Sequence, residues 1–139
     1  MEKIKKNTAL LFAGGISYFI MEILWRGFSH WTMALAGGIS FVLLTNIFKT
    51  MKNTSHLLKA LIGGAVITSV ELIFGLVFNI GLGMNIWDYS ERYANFLGQI
   101  CPLFSLFWCG ISFMISVATD IFSKKTEKYQ DKTLPKAAE

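Results

Sequence analysis

The sequence predicts an all-α fold: a polytopic membrane protein built as a four-transmembrane-helix bundle with both termini cytoplasmic. Three observations predict it. Of the 139 residues, 53% are hydrophobic and only 16% charged, a balance too apolar for a soluble domain of this length. Four apolar stretches approach the roughly 20 residues needed to cross about 30 Å of hydrocarbon. Eleven of the 13 basic residues fall in alternate connecting segments, as they do where cytoplasmic loops collect Lys and Arg.

The first span covers about residues 8–28 and follows Lys3, Lys5 and Lys6. A cleaved signal peptide is the competing reading of this segment. The run is too long for one, carries Glu22 and Arg26, and is followed by no small-residue cleavage site. A short Ser29-His30 turn leads to the second span, 31–48, and then to an inner connection with Lys49, Lys52 and Lys59. The third span is 57–84. An outer connection, 85–93, precedes the fourth, 94–122, in which Asn95 and Gln99 lie one turn apart and Pro102 is expected to kink the helix. A basic cytoplasmic tail, 124–139, completes the chain as a helical extension that frays into disorder. Trp25, Trp31, Trp87, Tyr89 and Tyr93 crowd the outer ends, where amphipathic rings settle at a membrane interface.

Small residues spaced by four recur in every span: Ala9, Ala13 and Ser17; Ala34 and Gly38; Ala60, Gly64 and Thr68; Cys101, Ser105 and Cys109. Such stripes let helix backbones approach closely in a bilayer. Four short spans enclose little space alone, so a homo-oligomer is expected. Gly14-Gly15 followed by Glu22 recurs 49 residues later as Gly63-Gly64 followed by Glu71, which suggests a duplicated hairpin. Ala36-Gly37-Gly38 repeats the glycine pair without the acid and weakens that reading.

A carboxylate in hydrocarbon is costly unless protonated, paired or facing a polar cavity, so Glu22 and Glu71 are the leading candidates for function. Arg26 lies four residues after Glu22 and shares its helix face, which explains Glu22 as an ion pair. Glu71 has no basic residue at helical spacing, so either its charge is met from another helix, by Arg26, His30, Asn95 or Gln99, or it is protonated. Asp88 either caps a short interfacial helix or joins Glu22, Arg26, His30, Glu71 and Asn95 around an outward-facing polar pocket. Trp31, Trp87 and Tyr89 are assigned to the interface above it. Asp120 is expected to pair with Lys124, and His56 to be a solvated interface residue.

Other chemistries lack support. Cys101 and Cys109 are separated by about 12 Å of helix rise and cannot bridge each other. With His30 and His56 the only imidazoles, no metal site is expected, nor any cofactor. The net charge of +4 reflects the cytoplasmic lysines; attraction to anionic lipid headgroups accounts for it without nucleic acid.

The segment Glu71-Leu72-Ile73-Phe74-Gly75, followed by Asn79, Trp87-Asp88-Tyr89-Ser90, Asn95, Gly98, Cys101-Pro102, Ser105 and Trp108, resembles the second half of the ABC-transporter permease family of the CmpB type. Glu22 and Arg26-Gly27-Phe28 are similar to that family's early glutamate and Arg-Gly-Phe. The proline-rich segment that follows in the family is replaced here by Ser29-His30-Trp31-Thr32-Met33. The resemblance implies a small four-span, multi-pass protein of the bacterial inner membrane, labelled as a transporter component. The chain has no Gly-x-x-x-x-Gly-Lys-Ser/Thr loop, so an ATP-driven role implies a separate ATPase.

The leading functional expectation is a transport or permease-like component with an outward-facing polar site around Glu71. One alternative is an intramembrane enzyme on lipid or envelope precursors, with Glu71 or Asp88 as base and Arg26 and His30 as anion binders. No activated nucleophile accompanies the histidine, which weighs against an enzyme. The other alternative is a holin-like pore-former or membrane scaffold, for which specifically placed buried acids have no use.

Overall fold

The computed structural model describes residues 1–133, with side chains described as far as Thr126. Helix α1 spans Glu2–Arg26, α2 Trp31–Thr50, α3 His56–Phe74 and α4 Pro102–Thr133. A π-helical run of seven residues, Gly75–Gly81, prolongs α3. There is no β-sheet among the described residues. All four helical runs are long and apolar enough to cross a membrane, and the chain is a multi-pass membrane protein. Consecutive helices run antiparallel, so the lysine-bearing ends of all four meet at one end and the aromatic connections at the other.

Local chemistry sets the helix ends. Helix α1 stops at Gly27, whose φ of 79° is left-handed and whose N–H bonds the Ile23 carbonyl at 2.8 Å. Two residues on, the chain starts α2, with His30 as its N-cap. Helix α3 begins under Ser55, whose hydroxyl accepts from the Leu58 N–H at 3.3 Å.

The fourth helix differs from expectation at both ends. It begins at Pro102, not near residue 94, and the proline is its first residue, not a mid-helix kink. Ala94 (φ 50°), Leu97 (φ 52°) and Gly98 (φ 68°) hold left-handed backbone that cannot join a right-handed helix. Proline, lacking an N–H, suits the first helical position, where no intrahelical bond is lost. Asn95 and Gln99 therefore belong to the 82–101 connection and share no helix face. At the other end α4 runs to Thr133, for 32 residues or about 48 Å, more than a hydrocarbon layer requires. The first part of the expected tail is thus helix; from residue 134 onward it lies outside the described residues.

Two hairpins compose the bundle. Helix α1 packs along α2 and α3 along α4, and the close backbone approaches between the two pairs are those of α2 with α3 and α4. Each hairpin crosses at its glycine pair. A Cβ on Gly14 would strike Phe41, and one on Gly15 would lie 2.7 Å from the Ala34 carbonyl; Gly37 and Gly38 are opposed by Tyr18 and Leu11. In the second hairpin Gly63 and Gly64 lie against Ser112 and Cys109. The Gly37-Gly38 repeat is thus the partner of Gly14-Gly15 across one crossing, where close approach replaces an absent hydrophobic force.

Between the hairpins, Leu44, Phe48, Ile67 and Trp108 form one buried cluster. Met33, Ala36, Val70, Phe74, Ile86 and Trp87 form another toward the aromatic end. At the lysine-rich end Lys59 is fully enclosed, its Nζ 2.9 and 3.0 Å from the two Asp120 carboxylate oxygens. Asp120 therefore pairs across helices with Lys59, not along its own helix with Lys124. His56 bonds Ser116 Oγ at 2.9 Å and lies 3.8 Å from Asp120, so it joins this cluster while its ring stays partly exposed.

Candidate functional site

Glu71 faces inward from the last turn of α3 and is 5% exposed. Each carboxylate oxygen accepts one hydrogen bond from a neutral donor. The Tyr89 hydroxyl donates to Oε1 at 2.9 Å and the Trp108 indole N–H to Oε2 at 2.9 Å. The sequence led us to expect Arg26, His30, Asn95 or Gln99 in this place. None of them reaches it, because each is held elsewhere.

Tyr89 comes from the long connection, which folds back between the helix ends. Its ring stacks on Phe104 of α4 at 4.7 Å and 15°. The fold-back is fixed by Asn79 on the π-helical run. Asn79 Nδ2 donates to the Trp87 carbonyl and to Gln99 Oε1, both at 2.9 Å, and Asn79 Oδ1 accepts from the Ile86 N–H at 2.7 Å. Gln99 packs its side chain on bare Gly75 and donates to the Leu97 carbonyl at 2.9 Å. The Trp87 indole donates to the Gln99 carbonyl at 3.0 Å. Trp87 is therefore a buried anchor, not an interface ring, and Tyr89 a half-buried donor. Such a network of satisfied buried polar groups gives the connection one conformation. Burial first, then the adjacent Glu71 charge and their hydrogen bond, push the Tyr89 phenol well above its ordinary range, so it stays a donor.

The remaining candidates stabilise turns. Glu22 pairs with Arg26 at 2.6 Å and accepts from Ser29 Oγ at 3.4 Å. Arg26 also donates to the Ile86 carbonyl at 3.2 Å and lies over the Phe28 ring at 4.8 Å, tying the end of α1 to the long connection. His30 Nδ1 accepts from the Thr32 N–H at 3.4 Å, and Trp31 sits exposed with its ring edge-on to Phe78. Asp88 accepts from both the hydroxyl and the N–H of Ser90, which holds its carboxyl below the usual carboxylate range. Asn95 donates to the Ser90 and Arg92 carbonyls and accepts from Gly98 N–H, closing the same loop.

In front of Glu71 lies a cleft of about 430 Å³ between the two hairpins. Its walls are aliphatic and aromatic, with Met33, Leu44, Ile67, Val70, Phe74 and Met114 among them, and Ser17, Tyr18, Ser40 and Glu71 are polar residues that line it. Of the acidic, basic and amide candidates named from the sequence, Glu71 alone lines it. The Tyr18 ring lies 5.7 Å from that of Trp108 and spans the gap from α1. An apolar chamber with one oriented carboxylate suits a ligand with an apolar body and one positive group. Among the described residues no cluster of His, Cys, Asp and Glu could hold a metal.

Trp108 and Tyr18 were given no role by sequence reasoning. A signal for Trp108 existed: a buried indole N–H needs an acceptor, and Glu71 was the acid left without a partner. Asn79 was noted on the Glu71 face, but its bonds to the connection had no periodic trace.

No curated protein and no solved structure matches the chain. A family model does match, over residues 14–137, from the middle of α1 onward. The chain belongs to that family, described as "Putative ABC-transporter type IV".

Proposed function

We propose that the protein is the membrane-embedded component of a transport system, and that it binds an amphipathic organic cation with Glu71 against the positive group and the cleft around the apolar body. The observation that carries this reading is the pairing of a buried carboxylate, oriented by two neutral donors, with an apolar chamber of about 430 Å³. Neutral donors fix the oxygens without neutralising their charge, so a cation can still gain from approaching them. Glu22, by contrast, already has its charge met by Arg26. The lysine-rich end is placed in the cytoplasm of a bacterial cell, which puts Glu71 toward the outer side. Partners in this reading are the bilayer, a second copy of the chain and a separate ATPase, since the chain has no phosphate-binding loop of its own. The enzyme alternative loses ground because Arg26 and His30, its anion binders, are committed to Glu22, Ile86 and Thr32.

The test uses tetraphenylphosphonium as probe and purified protein in lipid nanodiscs. Saturable binding is expected, weakened about tenfold or more by Glu71→Gln, as follows from losing about 1.4 kcal/mol or more of charge interaction. Binding equal in wild type and in a folded Glu71→Gln variant would exclude the assignment.

A further inference from the structure

The two hairpins are not closed equally along their length. At the aromatic half rings bridge α1 and α4, Tyr18 on Trp108 and Trp25 on Phe107. No close backbone approach links α1 to α4 among the described residues. Toward the lysine-rich end the two helices leave a groove of about 970 Å³. Its walls there are apolar, with Leu10, Phe48 and Ala118 among them, and it continues into the chamber below Glu71 through Phe41, Met114 and Ile115, which line both.

The mouth of the groove is basic. Lys6 from α1, Lys49 from α2, Lys52 from the inner connection and Lys124 from α4 converge on it from four parts of the chain. Asp120, the acid among the described residues that line it, is already held by Lys59. Lys6 and Lys49 stand close enough for each ammonium to act on the other, a repulsion that an anion between them would relieve. From Lys6 to Tyr18 is about 18 Å of helix rise, comparable with the half of a roughly 30 Å hydrocarbon layer that one leaflet occupies. The groove thus offers cationic groups at headgroup level and an apolar slot one leaflet deep.

We infer that this groove holds one anionic glycerophospholipid of the lysine-side leaflet, its phosphate between Lys6, Lys49 and Lys124 and an acyl chain lying between α1 and α4. The assignment concerns a different end of the molecule from the Glu71 site and does not depend on that reading. Basic pockets between transmembrane helices recognise anionic headgroups through the same combination of point charges and apolar wall.

Native mass spectrometry of protein exchanged into mixed micelles of phosphatidylglycerol and phosphatidylcholine tests it. Wild type is expected to retain one phosphatidylglycerol in preference to phosphatidylcholine. The triple variant Lys6→Gln, Lys49→Gln, Lys124→Gln should lose about tenfold of that retention. A control removing as many charges outside the groove, Lys3→Gln, Lys5→Gln, Lys125→Gln, should keep it. Ala118→Trp, which fills the slot and leaves every lysine in place, should also expel the lipid, so the proposal does not hang on the folding of one variant. Equal loss in the control, equal retention of phosphatidylcholine, displacement by inorganic phosphate, or a dimer that excludes the lipid would overturn it.

Discussion

Glu22 and Glu71 occupy matching places after matching glycine pairs, yet the two hairpins treat them in opposite ways. The first hairpin turns in a few residues, and its acid is answered from its own helix by Arg26 at 2.6 Å. The second hairpin turns through a connection of some twenty residues that folds back into the bundle and answers its acid with two neutral donors. An ion pair four residues apart closes a carboxylate to other chemistry. Neutral donors hold it in position and leave its charge to be used. The length of the second connection is what makes this possible, because only a chain that returns between the helices can bring Tyr89 to Glu71.

The largest effect is expected at the other end of the second hairpin, where a buried charge is paired. Asp120→Asn would leave the enclosed Lys59 without its counter-charge and should cost about 3 kcal/mol, read as a fall in the thermal midpoint in detergent. An unchanged midpoint would mean that the second hairpin does not depend on that pair. Trp108→Phe keeps the ring and removes one of the donors to Glu71, with an expected loss of about 1.5 kcal/mol. A negligible loss would show the indole bond to be incidental and would weaken the contrast with Glu22.

The two connections can be compared through their left-handed residues. Gly27 ends α1 at φ 79°, so Gly27→Ala should destabilise by about 1 kcal/mol. Ala94 occupies a similar conformation, φ 50°, at an exposed position, and Ala94→Gly should stabilise by up to about 1 kcal/mol. Opposite signs in the two unfolding curves would confirm that the long connection stores strain where the short turn does not. The smallest effect concerns acid. The Asp88 carboxyl, held down by Ser90, contributes stability above the unfolded-chain value of about 3.9 and loses it as pH falls through its lower native value. Asp88→Asn should therefore flatten the acid limb of stability below about pH 4 and leave neutral pH nearly unchanged.

The four spans and the lack of a local partner for Glu71 were legible in the sequence, because hydropathy and helical spacing are local signals. The fourth helix was started too early because Phe96, Leu97 and Ile100 extend the apolar run, although they lie in a connection held by Asn79 and Gln99. Pro102 marked the true start, read as the first residue of a helix and not as a kink within one. The donors to Glu71 were out of reach because they lie 18 and 37 residues away, at distances no periodicity encodes. Lys59 misled for the same reason. It reads as one of several inner lysines, and only the crossing of α3 with α4 sets it against Asp120.

The claim that Glu71 is the available carboxylate and Glu22 the closed one can be tested in a single labelling experiment. Dicyclohexylcarbodiimide adds to a carboxylic acid in apolar surroundings and, with no nucleophile at hand, leaves a stable N-acylurea that peptide mass spectrometry locates. The account predicts an adduct at Glu71, suppressed by tetraphenylphosphonium, with Glu22 unlabelled behind Arg26. Labelling of Glu22 to the same extent, or labelling of Glu71 that tetraphenylphosphonium does not reduce, would contradict it.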